Sequence, residues 1–277
     1  MKKTILLALA LVFGMAGAQA QKLFKLTGDS ISKPSYIVAT HALLNPQGLV
    51  QRVDGMKDAL MNTDQMCFYV NKVTYADVIK NAQKLPAGQT LKALLTPAQN
   101  QLLDKFLKKY TEVSWNSPYN QRRYNDKTPE AVKEELAKLL FVANHMSEFD
   151  PTHTFDEYFK AQADVNKEEV FALVSTDDYC KRYAAVPLKE QAAALVKFLE
   201  NEQAELAKID KTVAEFEAGN VDGVAKAMGV DSDEAAHAAK MVEAARQKAT
   251  LFVIPAEFLG GEHGIVASLK AAGVTVE

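Results

Sequence analysis

The chain has 277 residues, 48% of them hydrophobic and 24% charged, a composition that suits a globular protein and excludes a disordered one. Its formal net charge is -3, with Lys and Arg interspersed among Asp and Glu. No clustered basic surface is indicated, so a nucleic acid or other polyanion is not an expected partner.

Taken from the N-terminus, the first element reads as a cleavable secretory signal peptide. Lys2 and Lys3 supply a positive start, and Ile5 to Phe13 is apolar but shorter than the roughly 20 residues that span a bilayer. Ala18-Gln19-Ala20 offers small residues at the positions a signal peptidase reads, so cleavage is predicted after Ala20. This predicts export to the periplasm or beyond the cell, with no transmembrane anchor after cleavage. The absence of a cysteine at the cleavage point argues against a lipid anchor.

The mature chain alternates strands with helices. Ser35 to Thr40 is predicted as a strand, Gly48 to Met61 as an amphipathic helix, and Gln65 to Val70 as a second apolar strand. Helices follow at Thr74 to Lys84, at Thr96 to Tyr110 with Pro97 in the first turn, and from Thr128-Pro129 to about Met146. Phe155 to Val165 reads as helix, Glu169 to Ser175 as strand, and Thr176-Asp177-Asp178 as a helix start. Pro187-Leu188 opens a predicted long helix to Leu206. Lys211 to Ala218, Val221 to Met228 and a helix capped by Asp231 to Glu234 come next. Thr250 to Ile254 is a strand, Glu262 to Ala272 a helix after the Gly260-Gly261 turn, and Gly273 to Val276 the last strand. The expected fold class is α/β (α+β): a mostly β core from N- and C-terminal strands, with a large helical insertion and a helix-rich whole.

Two cysteines, Cys67 and Cys180, could form one disulfide in an oxidising compartment, but Cys67 reads equally well as a buried free thiol. The five histidines are His41, His145, His153, His237 and His263, and no His-Glu-x-x-His pair occurs among them. A Gly-x-Ser-x-Gly elbow, a Walker loop and a dinucleotide fingerprint are also missing. His41 ends a strand, a common position for catalytic groups, yet with no partner in view a capping or packing role is favoured. His145, Glu148, Asp150 and His153 read as a solvated helix end rather than a ligand set. Glu257, Glu262 and His263 flank the Gly260-Gly261 turn, where Glu262 complements a helix dipole without any catalytic role.

Three blocks give the chain a family resemblance. Lys33 to His41 is similar to the opening strand and Gly-Thr-x-His motif of the TraB/GumN family, which includes the Tiki-type metalloproteases. Leu85-Pro86-Ala87-Gly88-Gln89-Thr90-Leu91, with Leu94, Leu95 and Leu102, resembles the family's middle stretch. Phe252-Val253, then Leu259, Gly261, Gly264, Leu269, Gly273 and Val276, resembles its closing block. With the signal peptide at 1–20, the resemblance implies one TraB/GumN-like domain over 21–277.

It also implies a site built from two Gly-x-x-His motifs and acidic residues, and this chain departs from that pattern. The first motif reads Ala39-Thr40-His41-Ala42, with Ala42 at the ligand position. The second reads Pro255-Ala256-Glu257-Phe258, with Phe258 in place of histidine. Phe68-Tyr69 stands where Gly-Glu is expected, and Val174 takes a further acidic position. Ala and Phe donate nothing to a metal, and a catalytic divalent ion needs about three protein donors. The expected protein is therefore a catalytically inactive, exported member with no cofactor. It would bind an undefined peptide, protein or small ligand, or serve structurally in the bacterial envelope. The alternative is an active metal-dependent peptidase or hydrolase holding Mn, Co or Zn through His41, Glu257, Glu262 or His263.

Overall fold

A computed structural model describes residues 22–29 and 31–277; the leader and its cleavage point lie outside the described residues. The first two strands, β1 (Leu23–Gly28) and β2 (Ile31–Thr40), pair antiparallel. Two short helices follow, α1 (Leu49–Arg52) and α2 (Met56–Asn62), where the sequence predicts one. Gly55, with φ of 80°, takes a left-handed turn between them and restarts the helix on a new axis.

The chain then enters β3 (Gln65–Phe68), whose four residues are all buried. The segment from β3 to the next strand is helical: α3 (Ala76–Ala82), α4 (Leu91–Leu94), α5 (Pro97–Thr111), α6 (Pro118–Tyr124), α7 (Pro129–His145) and α8 (Phe155–Asn166). After β4 (Glu169–Ala172) come α9 (Thr176–Ala185), α10 (Leu188–Glu200), α11 (Glu202–Glu217), α12 (Val221–Met228) and α13 (Ala235–Gln247). The predicted long helix ending at Leu206 is interrupted at Asn201, and α11 absorbs the helix predicted separately at Lys211 to Ala218. The chain closes with β5 (Thr250–Pro255), α14 (Ile265–Ala271) and β6 (Thr275–Val276).

All six strands form one sheet in the order β4-β3-β5-β2-β1-β6. β4, β3, β5 and β2 run parallel, while β1 is antiparallel to both of its neighbours. Parallel strands covered on both faces read as continuous apolar runs, as Leu251-Phe252-Val253-Ile254 does. The crossovers from β3 to β4 and from β4 to β5 travel in opposite directions along the sheet. Right-handed connections therefore lay α8 and α13 on opposite faces. The Gln65 amide, 3.4 Å from the Ala244 carbonyl, fixes α13 over the face that Gln65 occupies.

The sheet and its flanking helices enclose the larger core, which includes Ile37, Phe68, Phe141, Phe159 and Phe252. A second core is wholly helical and gathers Leu103, Phe106, Trp115, Leu136 and Leu195 from α5, α7, α10 and their connections. No helix among the described residues is long and apolar enough to cross a membrane. Cys67 is a buried free thiol in β3 and Cys180 a partly exposed one in α9, so the disulfide that the sequence permits is not formed.

Candidate functional site

In parallel sheets, ligands are received beyond the carboxyl ends of the strands, where loops diverge to opposite faces. In this protein a cleft of about 470 Å³ opens at that edge, beyond β3, β4 and β5. Tyr69 and Val70 line it from the end of β3, Leu173 and Val174 from β4, and Pro255, Glu257 and Phe258 from β5. α8 adds Asp156, α9 adds Tyr179 and Arg182, and α13 adds His237 and Lys240.

Tyr69 is the hub. Its ring stacks on Phe258 with centroids 4.2 Å apart and planes 6° from parallel, and it meets the edge of His237 at 5.3 Å. Its hydroxyl donates to Glu234 Oε2 at 3.4 Å. Burial, the first cause, and the Glu234 charge push the phenol well above its usual range. Glu234 is only 2% exposed and precedes α13, where its carboxylate also pairs with His237 Nδ1 at 2.7 Å and accepts from the Ser232 hydroxyl. A buried carboxylate needs such partners to offset its lost hydration. The arrangement fixes the His237 ring and leaves its other nitrogen uncommitted.

Across the cleft, burial raises the Asp156 carboxyl above the ordinary range, with nearby Lys72 acting in the opposite direction. Glu257 is raised for the same first reason, and it too feels Lys72 and the Asp156 charge. Among the described residues the Asp156 carboxylate has no hydrogen bond or ion pair. Lys72 lies over the Tyr179 ring at 5.5 Å, and Lys240 donates to the Leu173 carbonyl at 2.8 Å.

The residues singled out in the sequence divide. Tyr69, Glu257 and Phe258 converge on the cleft, whereas His41 does not line it. His41 follows Ala39 and Thr40 at the end of β2, and its Nδ1 accepts the backbone N–H groups of Leu43 and Leu44, each at 3.2 Å. Its ring packs between Phe141 and Phe216, and burial followed by the His145 charge lowers its pKa to about 4. Ala42 is exposed on the loop that follows. Glu262 and His263 are exposed as well, and His263 contributes only its carbonyl, which accepts the Glu234 N–H at 3.0 Å. The group at the end of α7 splits: His145 pairs with Asp210 and Glu148 accepts from Ser147, while Asp150 and His153 stay together at 2.7 Å.

The decisive comparison is one of extent. The sequence model of the TraB/PrgY/gumN family matches residues 23–277, nearly the whole chain. The chain belongs to the TraB/PrgY/gumN family. No curated protein and no solved structure matches it. As a TraB/PrgY/gumN protein it can be asked whether its strand ends suit a divalent metal. Among the described residues, no three His, Cys, Asp or Glu side chains are grouped to hold one. The Tyr69–Phe258 stack occupies two of the positions where the family resemblance calls for donors. This donor set does not fit a catalytic metal, which takes about three protein ligands and an open position.

Proposed function

We propose that this TraB/PrgY/gumN protein is an exported, non-catalytic binding protein of the bacterial envelope, whose cleft receives its ligand without metal chemistry. The observation that carries this reading is the stacked Tyr69–Phe258 pair at the strand ends. An aromatic stack buries apolar area and stabilises the fold, but it neither ligates a metal nor acidifies a bound water. The cleft beside it is lined by aromatic and aliphatic side chains with charged groups among them, a mixture that suits a small-ligand site. The leader, with Lys2 and Lys3, an apolar run and Ala18-Gln19-Ala20, supports export.

Metal content tests the proposal. Protein equilibrated with manganese, cobalt or zinc and then desalted should retain far less than one equivalent by elemental analysis. One equivalent that disappears in Glu257→Ala would overturn it and favour the rival reading, a metal-dependent peptidase or hydrolase.

A further inference from the structure

The charges that line the cleft cancel locally. Lys72, Arg182 and Lys240 stand with Asp156, Asp178 and Glu257, three cations among three carboxylates. Each cation has an anion near it. The Lys72 charge acts on the carboxyls of both Asp156 and Glu257, Arg182 pairs with Glu134 of α7, and the Lys240 charge acts on Asp178. His237 is held by Glu234 through Nδ1 at 2.7 Å. No pole of either sign is left for an ion. A cation approaching Asp156 would meet Lys72, and an anion approaching Lys240 would meet Asp178.

Hydrogen-bonding capacity, by contrast, is unspent in donors and acceptors alike. Among the described residues the Asp156 carboxylate accepts no hydrogen bond, although burial is the dominant influence on it. A carboxylate withdrawn from water without a donor is costly, so such a group is kept where a ligand supplies one. Lys240 gives one bond to the Leu173 carbonyl at 2.8 Å, and an ammonium has three to give. The Tyr69 hydroxyl donates to Glu234 and keeps its lone pairs for an incoming donor. A ligand hydroxyl answers all of these, because it has one hydrogen to give and two lone pairs to receive. Between these polar groups the wall is apolar, formed by the Tyr69–Phe258 stack with Leu173 and Val253.

We propose that the cleft binds a neutral sugar, its hydroxyls donating to Asp156 and accepting from Lys240, and its C–H face lying along the Tyr69–Phe258 wall. The inference rests on the reading of the cleft as a metal-free binding site. Size agrees, since 470 Å³ lies within the range of small-molecule sites and holds about one or two sugar rings.

Calorimetric titration of metal-free protein with D-glucose, D-galactose, D-mannose, maltose and lactose tests this, with D-glucosamine and D-glucuronate as charged counterparts. At least one neutral sugar should bind at a single site with a Kd of about 1 mM or lower. Its affinity should hold between about 0.05 and 0.5 M sodium chloride, because a neutral ligand has no charge to screen. The charged counterparts should bind roughly tenfold or more weakly than that sugar, since each brings a charge the cleft leaves unanswered. Asp156→Ala should weaken the sugar roughly tenfold, the scale of a hydrogen bond to a charged group. Asp156→Asn should keep most of the binding, because its amide oxygen still accepts a hydroxyl. Both variants should melt no lower than the unsubstituted protein, since each removes a carboxylate that lacks a donor, and this separates lost binding from lost folding. The inference is overturned if none of these neutral sugars binds at about 10 mM, or if a charged counterpart binds as tightly as the best of them. It is equally overturned if Asp156→Ala binds as the unsubstituted protein does. Metal analysis of the same preparation keeps the two proposals apart: retained metal overturns the metal-free reading, whereas metal-free protein that ignores sugars overturns only the sugar site.

Discussion

His41 shows how a residue with catalytic chemistry is committed to architecture. Its Nδ1 accepts two backbone N–H groups, which requires that nitrogen to stay unprotonated, and two phenylalanine rings and His145 surround it. Its pKa falls to about 4, below the 6.5 of the unfolded chain, so the folded state binds fewer protons between these values. The stabilisation is therefore complete above pH 6.5 and is lost as pH falls toward about 4, by on the order of 3 kcal/mol. Urea unfolding at about pH 7 and about pH 4 should show this loss, and His41→Asn should flatten it, because Asn Oδ1 can accept the same N–H groups without titrating. An equal pH dependence in both proteins would mean that other groups carry the acid sensitivity. The capping role was legible at residue level, since a lone strand-end histidine has few alternatives. Asp156, Lys72, Arg182, His237 and Lys240 were not legible. Each sits in an ordinary helical or loop sequence, and only the sheet topology brings α8, α9 and α13 to one edge. Glu234 was visible only as a helix-start residue, with nothing in its neighbours to show that it would hold Tyr69 and His237.

At the scale of elements, the closing glycines owe their identity to backbone approach. A Cβ on Gly260 would stand 2.2 Å from the Val221 carbonyl at the start of α12, and one on Gly264 would stand 2.1 Å from the Gly260 carbonyl. Gly261 differs: its φ of +88° is left-handed, but a Cβ there meets nothing within 4 Å. Its N–H donates to Asp222 at 2.8 Å, a second tie between this turn and α12. Gly260→Ala should therefore cost several kcal/mol, since backbone must move, whereas Gly261→Ala should cost about 1–2 kcal/mol of conformational strain. Thermal melts of the two variants rank them, and equal losses would show that α12 yields easily. The sequence displayed these glycines as a turn and a family block but not the helix they admit. Elsewhere, elements were legible where a local device marked them, as with Thr96-Pro97 and Gln99 opening α5 through a reciprocal cap. The short helices α4 and α6 and the strand β1 escaped, because four to seven residues establish no period and β1 gains its identity from pairing with β2 and β6.

For the whole molecule, the question is whether the sheet core and the helical core unfold together. α7 crosses between them, placing Val132, Leu136 and Leu140 in the helical core and Phe141 in the sheet core, while Ile209 of α11 packs against both. A helix shared in this way cannot lose one set of contacts without exposing the other, which couples the two cores. Trp115, the single tryptophan, lies fully buried in the helical core, with its indole N–H donated to Asn100 Oδ1 at 2.8 Å. Its fluorescence thus reports the helical core alone, and far-ultraviolet circular dichroism reports every helix. The two signals should trace one urea transition with a common midpoint. Leu140→Ala, which removes a fully buried side chain beside Phe141, should lower that midpoint by the equivalent of about 2–5 kcal/mol without separating the signals. If the tryptophan signal moved first, the helices α4 to α7 and α10 would form an independently melting unit, and the single-domain expectation for 21–277 would give way to two.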